Sequence, residues 1–221
     1  MSGNRELSTP DSVIRERLDV VRQAIAELGK PHVTVVAVTK GFDESAMEAA
    51  QRLGLTDVGE NYAQELLEKS NAIGDETNVH FMGRVQRNKV RKIAAHVDLW
   101  HSVSRPEILT EIAKRTPGAR VLIQVRPHDD ETKDGVPPAE LEHMLAVAAE
   151  LDVTVAGLMT IGVLGDPEAT KAAFVELDQL CSTYDLVERS MGMSGDYRDA
   201  LSAGATMLRL GSVLFGDRPA R

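Results

Sequence analysis

The chain is 221 residues long and 43% hydrophobic, enough to bury one full core without a second domain. Its formal net charge of −9 excludes a globally basic nucleic-acid binder, and its single cysteine, Cys181, excludes an internal disulfide and a CxxC zinc pattern. No apolar run approaches bilayer-spanning length and the first residues, Met-Ser-Gly-Asn-Arg-Glu-Leu-Ser-Thr-Pro, lack the apolar core of a secretory signal, so the expected location is the cytoplasm.

Residues 1–10 read as a flexible N-terminal stretch and 11–29 as a leading helix. In that helix Ile14, Leu18, Val21, Ile25 and Leu28 recur at i, i+4, i+7, i+11 and i+14. Thr9 is its candidate cap, Pro10 sits at its first turn and Gly29 ends it. Beyond it, β-branched runs near 33–39, 56–59, 79–82, 98–102, 120–125, 153–158, 186–190 and 206–211 alternate with amphipathic helical patterns near 43–53, 61–73, 84–96, 105–116, 137–150, 167–183 and 194–203. Asp166-Pro167 repeats the helix-start signal. The charged stretch from Arg126 to Pro137 reads as a loop over one mouth.

Eight alternations in this length predict an α/β protein made of one single-domain (β/α)8 TIM barrel over 1–221. An open doubly wound sheet is the alternative, but no GxGxxG follows the first strand. The strand bodies read as almost wholly apolar, with polar groups gathered where strands end. Those ends carry Lys40; Glu60 and Asn61; His80 and Gly83; His101 and Ser102; Gln124 and Arg126; Met159; Met193 and Ser194; and Arg209 to Ser212. Barrel active sites lie at such ends.

Lys40 closes the run Val33-Thr34-Val35-Val36-Ala37-Val38-Thr39 and is followed by Gly41. Most lysines face solvent, and alone this one would be read so. Across the barrel, however, Gly192, Ser194 and Gly195 and then Gly211-Ser212 precede helical patterns, where backbone N–H groups and hydroxyls can converge on a phosphate. A desolvated lysine opposite a phosphate cradle suggests a Schiff base with a phosphorylated aldehyde. Arg209, inside an apolar strand, requires a partner: an internal salt bridge or a ligand atom. His80 and His101 read equally as satisfied core histidines or proton carriers. No HxH or HExxH spacing supports a metal site. Arg84, Arg87 and Arg91 share one face of a helical pattern opposite Val90, Ile93, Ala94 and Val97, a solvated face rather than an RNA-binding one.

Six ordered blocks then carry a resemblance. They are Ala37-Val38-Thr39-Lys40; Gly59-Glu60-Asn61-Tyr62-Ala63-Gln64-Glu65; His80-Phe81-Met82-Gly83 with Gln86, Asn88 and Lys89; Gly157-Leu158-Met159; Ser190-Met191-Gly192-Met193-Ser194 with Asp196; and Arg209-Leu210-Gly211-Ser212 leading to Phe215-Gly216-Asp217-Arg218. The chain resembles the pyridoxal-phosphate homeostasis proteins, a family related to the barrel domain of bacterial alanine racemase. The resemblance implies that Lys40 holds pyridoxal 5′-phosphate (PLP) as an internal aldimine. It also implies that Ser194, Gly211 and Ser212 bind the phosphate, that Arg209 faces the pyridine nitrogen, and that Asn61 and Met193 line the cofactor. Departures from the family pattern are Gly41-Phe42 after the lysine, Arg84 after strand three and Arg126 after strand five; Lys133 and Gly135 still match.

In the related racemases a second, β-rich domain of the partner subunit supplies an acid–base group, and no residues beyond the eighth unit remain here to build one. The expected function is therefore PLP binding and homeostasis, buffering the cofactor or delivering it to apo PLP-dependent enzymes, and not catalysis. The expected state is a cytoplasmic monomer without membrane or nucleic-acid partners. A weak PLP-dependent racemase or another lysine Schiff-base enzyme is the alternative.

Overall fold

The first strand, β1 (Thr34–Val38), is β-branched almost throughout, which suits it to a pleat flanked on both faces. The computed structural model describes residues 8–30, 32–127 and 134–217. Within them the strands β1, β2 (Asp57–Glu60), β3 (Asn78–Phe81), β4 (Leu99–Val103), β5 (Ala119–Gln124), β6 (Val153–Met159), β7 (Glu188–Ser190) and β8 (Met207–Leu210) form a closed parallel barrel in sequence order. Closure is carried by β1 on β8, where Val35 pairs with Leu208 and Val36 with Arg209.

Helices α1 (Asp11–Glu27), α2 (Glu44–Arg52), α3 (Ala63–Glu68), α4 (Arg87–Ile93), α5 (Pro106–Arg115), α6 (Leu141–Ala149), α7 (Pro167–Thr183), α8 (Tyr197–Ser202) and α9 (Ser212–Phe215) connect and surround the strands. Several are shorter than their sequence patterns, because the ends tighten into 3-10 turns at Ser70–Ala72, Ala94–His96 and Pro138–Glu140. Asp166 caps α7 as expected, accepting from the Ala169 N–H at 3.0 Å. In α1 the cap is Pro10, not Thr9. The Thr9 hydroxyl donates instead to the Phe215 carbonyl at 2.6 Å, and Arg17 donates to Leu214 O at 2.9 Å. These bonds tie the start of the first helix to the end of the last. Ile14, Leu18, Val21 and Ile25 are buried as the periodicity predicts, while Leu28, at the C-cap, is 43% exposed. Residues 1–7 of the stretch read as flexible lie outside the described residues.

Two apolar clusters result. A large one fills the space between strands and helices, and a small one inside the barrel comprises Val36, Val38, Met82, Leu99, Leu122, Met159 and Met207. The barrel interior is not the apolar column that the strand sequences suggest. His80, His101, Ser190 and Arg209 are all buried there among strands β3, β4, β7 and β8. Each short strand sends only a few side chains inward, so one polar residue per strand is enough to change the character of the interior.

Candidate cofactor site

Lys40 leaves the barrel through a turn that Gly41 makes possible: its φ of +83° is a backbone region that side-chain-bearing residues rarely adopt. Both flanks of Lys40 are tied to one buried ionic cluster. Lys69, at the C-cap of α3, is 1% exposed and donates to Thr39 O at 2.9 Å and to Glu60 Oε1 at 2.6 Å. The Thr39 hydroxyl donates to the same Glu60 oxygen at 2.5 Å, and the Gly41 N–H donates to Glu65 Oε2 at 2.8 Å. Burial pushes the Glu60 carboxyl up, against the attraction of Lys69. The lysine therefore projects from a backbone held on both sides.

Lys40 opens into a cavity of about 240 Å³ at the C-terminal ends of the strands. Every residue for which the sequence predicts a cofactor contact lines it: Lys40, Asn61, Met193, Ser194, Arg209, Gly211 and Ser212. The remaining lining is mostly apolar: Met159, placed at a strand end by the sequence, Gly195, placed in the phosphate cradle, and Val38, Phe42, Met82 and Ile161, which were not named as cofactor contacts. Glu60, His80, Gly83, His101, Ser102, Gln124 and Arg126, also placed at strand ends by the sequence, do not line it.

Three features equip the cavity for a polar ligand. The Asn61 Oδ1 is buried with no partner among the described residues. Asn61 is held by a close approach, since a Cβ on Gly83 would lie 1.7 Å from the Asn61 carbonyl oxygen. The Ser194 Oγ accepts from the Val213 N–H at 3.1 Å, joining the loop after β7 to the first turn of α9 and leaving its own proton to donate. Arg209 is 5% exposed, and its guanidinium donates to two neutral oxygens among the described residues, Ser190 Oγ and Thr160 O, each at 2.8 Å. No carboxylate lies within ion-pair distance of it among the described residues, so the salt bridge considered from sequence is not found. Burial drives its pKa down to about 10.

The sequence departures also find their places. Phe42 is buried and packs on Phe215 with ring centroids 5.9 Å apart, so it seals the cavity wall against α9. Arg84 lies ahead of α4 rather than on its face and reaches Asp134 at 3.4 Å. Arg126 pairs through its backbone, donating to Val136 O at 3.1 Å. Lys133 lies outside the described residues. Among the described residues no group of acidic, histidine or cysteine side chains could hold a metal ion, and no helix is long and apolar enough to cross a membrane.

A closed barrel with a strand-end lysine facing an arginine and two serine-bearing loops defines a cofactor-barrel class, and comparisons with known proteins place the chain within it. The chain belongs to the family described as alanine racemase, N-terminal domain, whose model matches residues 12–219. The pyridoxal phosphate homeostasis protein of Synechocystis sp. is 40% identical over 216 residues, 90% of this chain and 97% of that protein. The pyridoxal phosphate homeostasis protein of Aquifex aeolicus is 36% identical over 92% of this chain and 97% of its own length. Among solved structures, PipY of Synechococcus elongatus PCC7942 with PLP bound is 31% identical, with a TM-score of 0.81 over 92% of this chain and all of that one. The same protein without PLP gives a TM-score of 0.84.

The residues that sequence reasoning missed are those that act behind the site. Lys69 is one of them, and its i, i+4 spacing from Glu65 is the local signal that could have drawn attention to it. The links from Ser190 to His101, and from His80 to Asp57, join separate strands, and no local pattern announces them.

Proposed function

We propose that this chain is a PLP-binding homeostasis protein that holds the cofactor reversibly through Lys40 and buffers or delivers it. One observation carries the reading: Lys40, Arg209 and the Ser194/Gly211/Ser212 donors face a single cavity whose size and polarity suit a small phosphorylated ring. The relatives named for pyridoxal phosphate homeostasis, and the PLP-bound PipY of the same fold, support it.

When bound, PLP supplies an aldehyde that condenses with an amine and a ring whose electron-withdrawing power grows when its nitrogen is protonated. The chain's own residues divide the remaining work. The Lys40 amine is the covalent anchor, and the Glu60–Lys69–Glu65 cluster keeps its backbone in place. The Ser194 hydroxyl and the Gly211-Ser212 backbone hold the phosphate, and Asn61 offers its unpartnered oxygen from the cavity wall. Arg209, a cation lining the cavity, would disfavour a proton on the ring nitrogen of a bound cofactor and so would hold back carbanion chemistry. Among the described lining residues only Lys40 and Arg209 have titratable side chains, which favours a carrier over a racemase needing an acid–base group on each face of a substrate carbon. The acceptors in this reading are apo PLP-dependent enzymes. In this reading the protein works as a cytoplasmic monomer.

Borohydride reduction of the protein loaded with PLP, followed by peptide mass mapping, tests the reading. The pyridoxyl adduct is expected on Lys40 and lost in Lys40→Ala; an adduct elsewhere, or none, overturns it. Incubation with D- and L-amino acids should shift the visible band without changing optical rotation, and rapid racemization would restore the enzymatic alternative.

A further inference from the structure

A hydrogen-bonded series crosses the barrel from Arg209 to Asp57. The Arg209 Nη1 donates to Ser190 Oγ at 2.8 Å, and Ser190 Oγ lies 3.0 Å from His101 Nδ1. His101 Nε2 lies 2.8 Å from His80 Nδ1, and His80 Nε2 lies 2.9 Å from Asp57 Oδ1. Ser190 and His101 are fully buried, and His80 is 3% exposed. Asp57, at the first position of β2, is the accessible end: it borders a cleft of about 400 Å³ beside α1, lined also by Arg22.

Donor chemistry gives the series one direction. A guanidinium can only donate, so Ser190 Oγ accepts from Arg209 and passes its single proton to His101 Nδ1. His101 is then neutral with its proton on Nε2, which it donates to His80 Nδ1. His80 in turn carries its proton on Nε2 and donates to the Asp57 carboxylate. Burial, together with the nearby Arg209 cation, disfavours a charged His101, in keeping with this assignment. The opposite direction would require N–H on both Nδ1 atoms and would leave Ser190 accepting twice. Thr56 and Asn78 hold the terminal carboxylate from its other sides, at 2.9 and 3.4 Å.

We propose that Asp57, His80, His101 and Ser190 form a directional relay that positions the Arg209 guanidinium at the cofactor ring and links it to the carboxylate it lacks beside it. Each bond in such a series polarises the next, so the negative end at Asp57 is felt at Ser190 without an anion entering the cavity. A carboxylate directly on Arg209 would neutralise the charge that the ring nitrogen meets. Through the relay Arg209 is oriented yet keeps its charge toward the ligand. Asp57, His80, His101 and Ser190 are positioning residues, and none of them lines the cavity. The role at the ring rests on the PLP reading; the direction of the relay is a property of the chain itself.

The experiment is long-range ¹H–¹⁵N correlation of the histidine rings in the cofactor-free, ¹⁵N-labelled protein at neutral pH. His80 and His101 are both expected as neutral Nε2–H tautomers; an Nδ1–H tautomer or an imidazolium at either ring overturns the relay. Asp57→Ala, which removes the terminal acceptor, should shift the ¹⁵N resonances of His101, and an unmoved His101 spectrum also overturns it. In the PLP-loaded protein, Asp57→Asn should loosen PLP about threefold and Ser190→Ala about tenfold, the scale of a broken buried hydrogen bond. The double variant should be no weaker than Ser190→Ala alone, whereas additive losses would show that Asp57 does not act through Ser190. If the wild type captures no PLP at Lys40, the functional reading fails while the tautomers still decide the relay.

Discussion

Two buried cations stand behind opposite sides of the cavity, and they are treated in opposite ways. Lys69 is packed outside the barrel against Glu60 at 2.6 Å and Glu65 at 3.9 Å. Arg209, inside the barrel, has only a hydroxyl and a carbonyl within hydrogen-bond reach among the described residues. The first arrangement uses its charge internally: the carboxylates and the ammonium satisfy one another while gripping the backbone on both sides of Lys40. The second leaves its charge unspent on the protein side, directed at whatever occupies the cavity. A buried ion with its counter-ions reads as scaffold, whereas a buried ion denied them reads as a ligand contact.

The sharpest way to break this comparison is to remove each cation in turn. Lys69→Met strands Glu60 in the interior and should cost about 3–5 kcal/mol, the range for breaking one side of a buried pair. Arg209→Met removes an ion whose desolvation was never repaid by a counter-ion, and that relief offsets two lost hydrogen bonds of about 1 kcal/mol each. Urea unfolding of the two variants should therefore show a large drop for Lys69→Met and a much smaller one for Arg209→Met. PLP binding should suffer in Arg209→Met despite that retained stability. Equal destabilisation by the two changes would mean that Arg209 is scaffold as well.

The contrast could not have been drawn from the sequence, although much around it could. The barrel was legible because eight β-branched runs alternate with 3.6-period patterns, and Lys40 and Arg209 stood out by where they fell in those runs. The polar strand ends were legible because the fold makes them converge, but the seven residues expected at the cofactor were singled out among them by the family resemblance. Partnership was not. Whether Arg209 meets a carboxylate depends on what β7 and the segment just after β6 present to it, a Ser190 hydroxyl and the Thr160 backbone carbonyl. His80 and His101 sit on adjacent strands, but only barrel closure brings Ser190 to His101, across 89 positions. Arg84 was assigned to a helix face because the period continued through it, yet the chain stays extended until Gln86 and α4 begins only at Arg87.

The relay side of the comparison also carries an acid signature. His101 is held neutral well below its usual range, chiefly by burial, so the unfolded chain binds a proton there that the folded chain refuses. Stability is then fully present above about pH 6.5 and is lost as pH falls, with a limiting slope of about 1.4 kcal/mol per pH unit for one site. Glu60 acts with the opposite sign: its raised folded pKa weakens the fold as pH climbs from 4.5 toward the folded value. In Asp57, burial pushes the carboxyl up, but hydrogen bonds led by that from His80 prevail, so its contribution disappears only below about pH 3.8. Unfolding midpoints at pH 7.5, 6.5 and 5.5 should decline, and His101→Gln should flatten that decline. An unchanged slope in the variant would place the acid sensitivity elsewhere.

The smallest effect is expected where charge is neither buried nor committed. Arg84, Arg87 and Arg91 are all exposed, and the ion pair of Arg84 with Asp134, at 3.4 Å, is open to water and screened. Arg87 opens α4, where a cation opposes the helix dipole, and Arg91 lies in its last turn, where a cation suits it, so neutralising both leaves opposing contributions to cancel. The triple change to Gln should leave the melting temperature within about 2 °C of wild type, because surface substitutions of this kind shift a chain of this size by little. RNA filter binding at low salt should be weak in both proteins. A salt-sensitive RNA affinity that the triple variant loses would give these arginines the role of Arg209, that of a charge held for a ligand, on a surface where nothing in the packing reserves it.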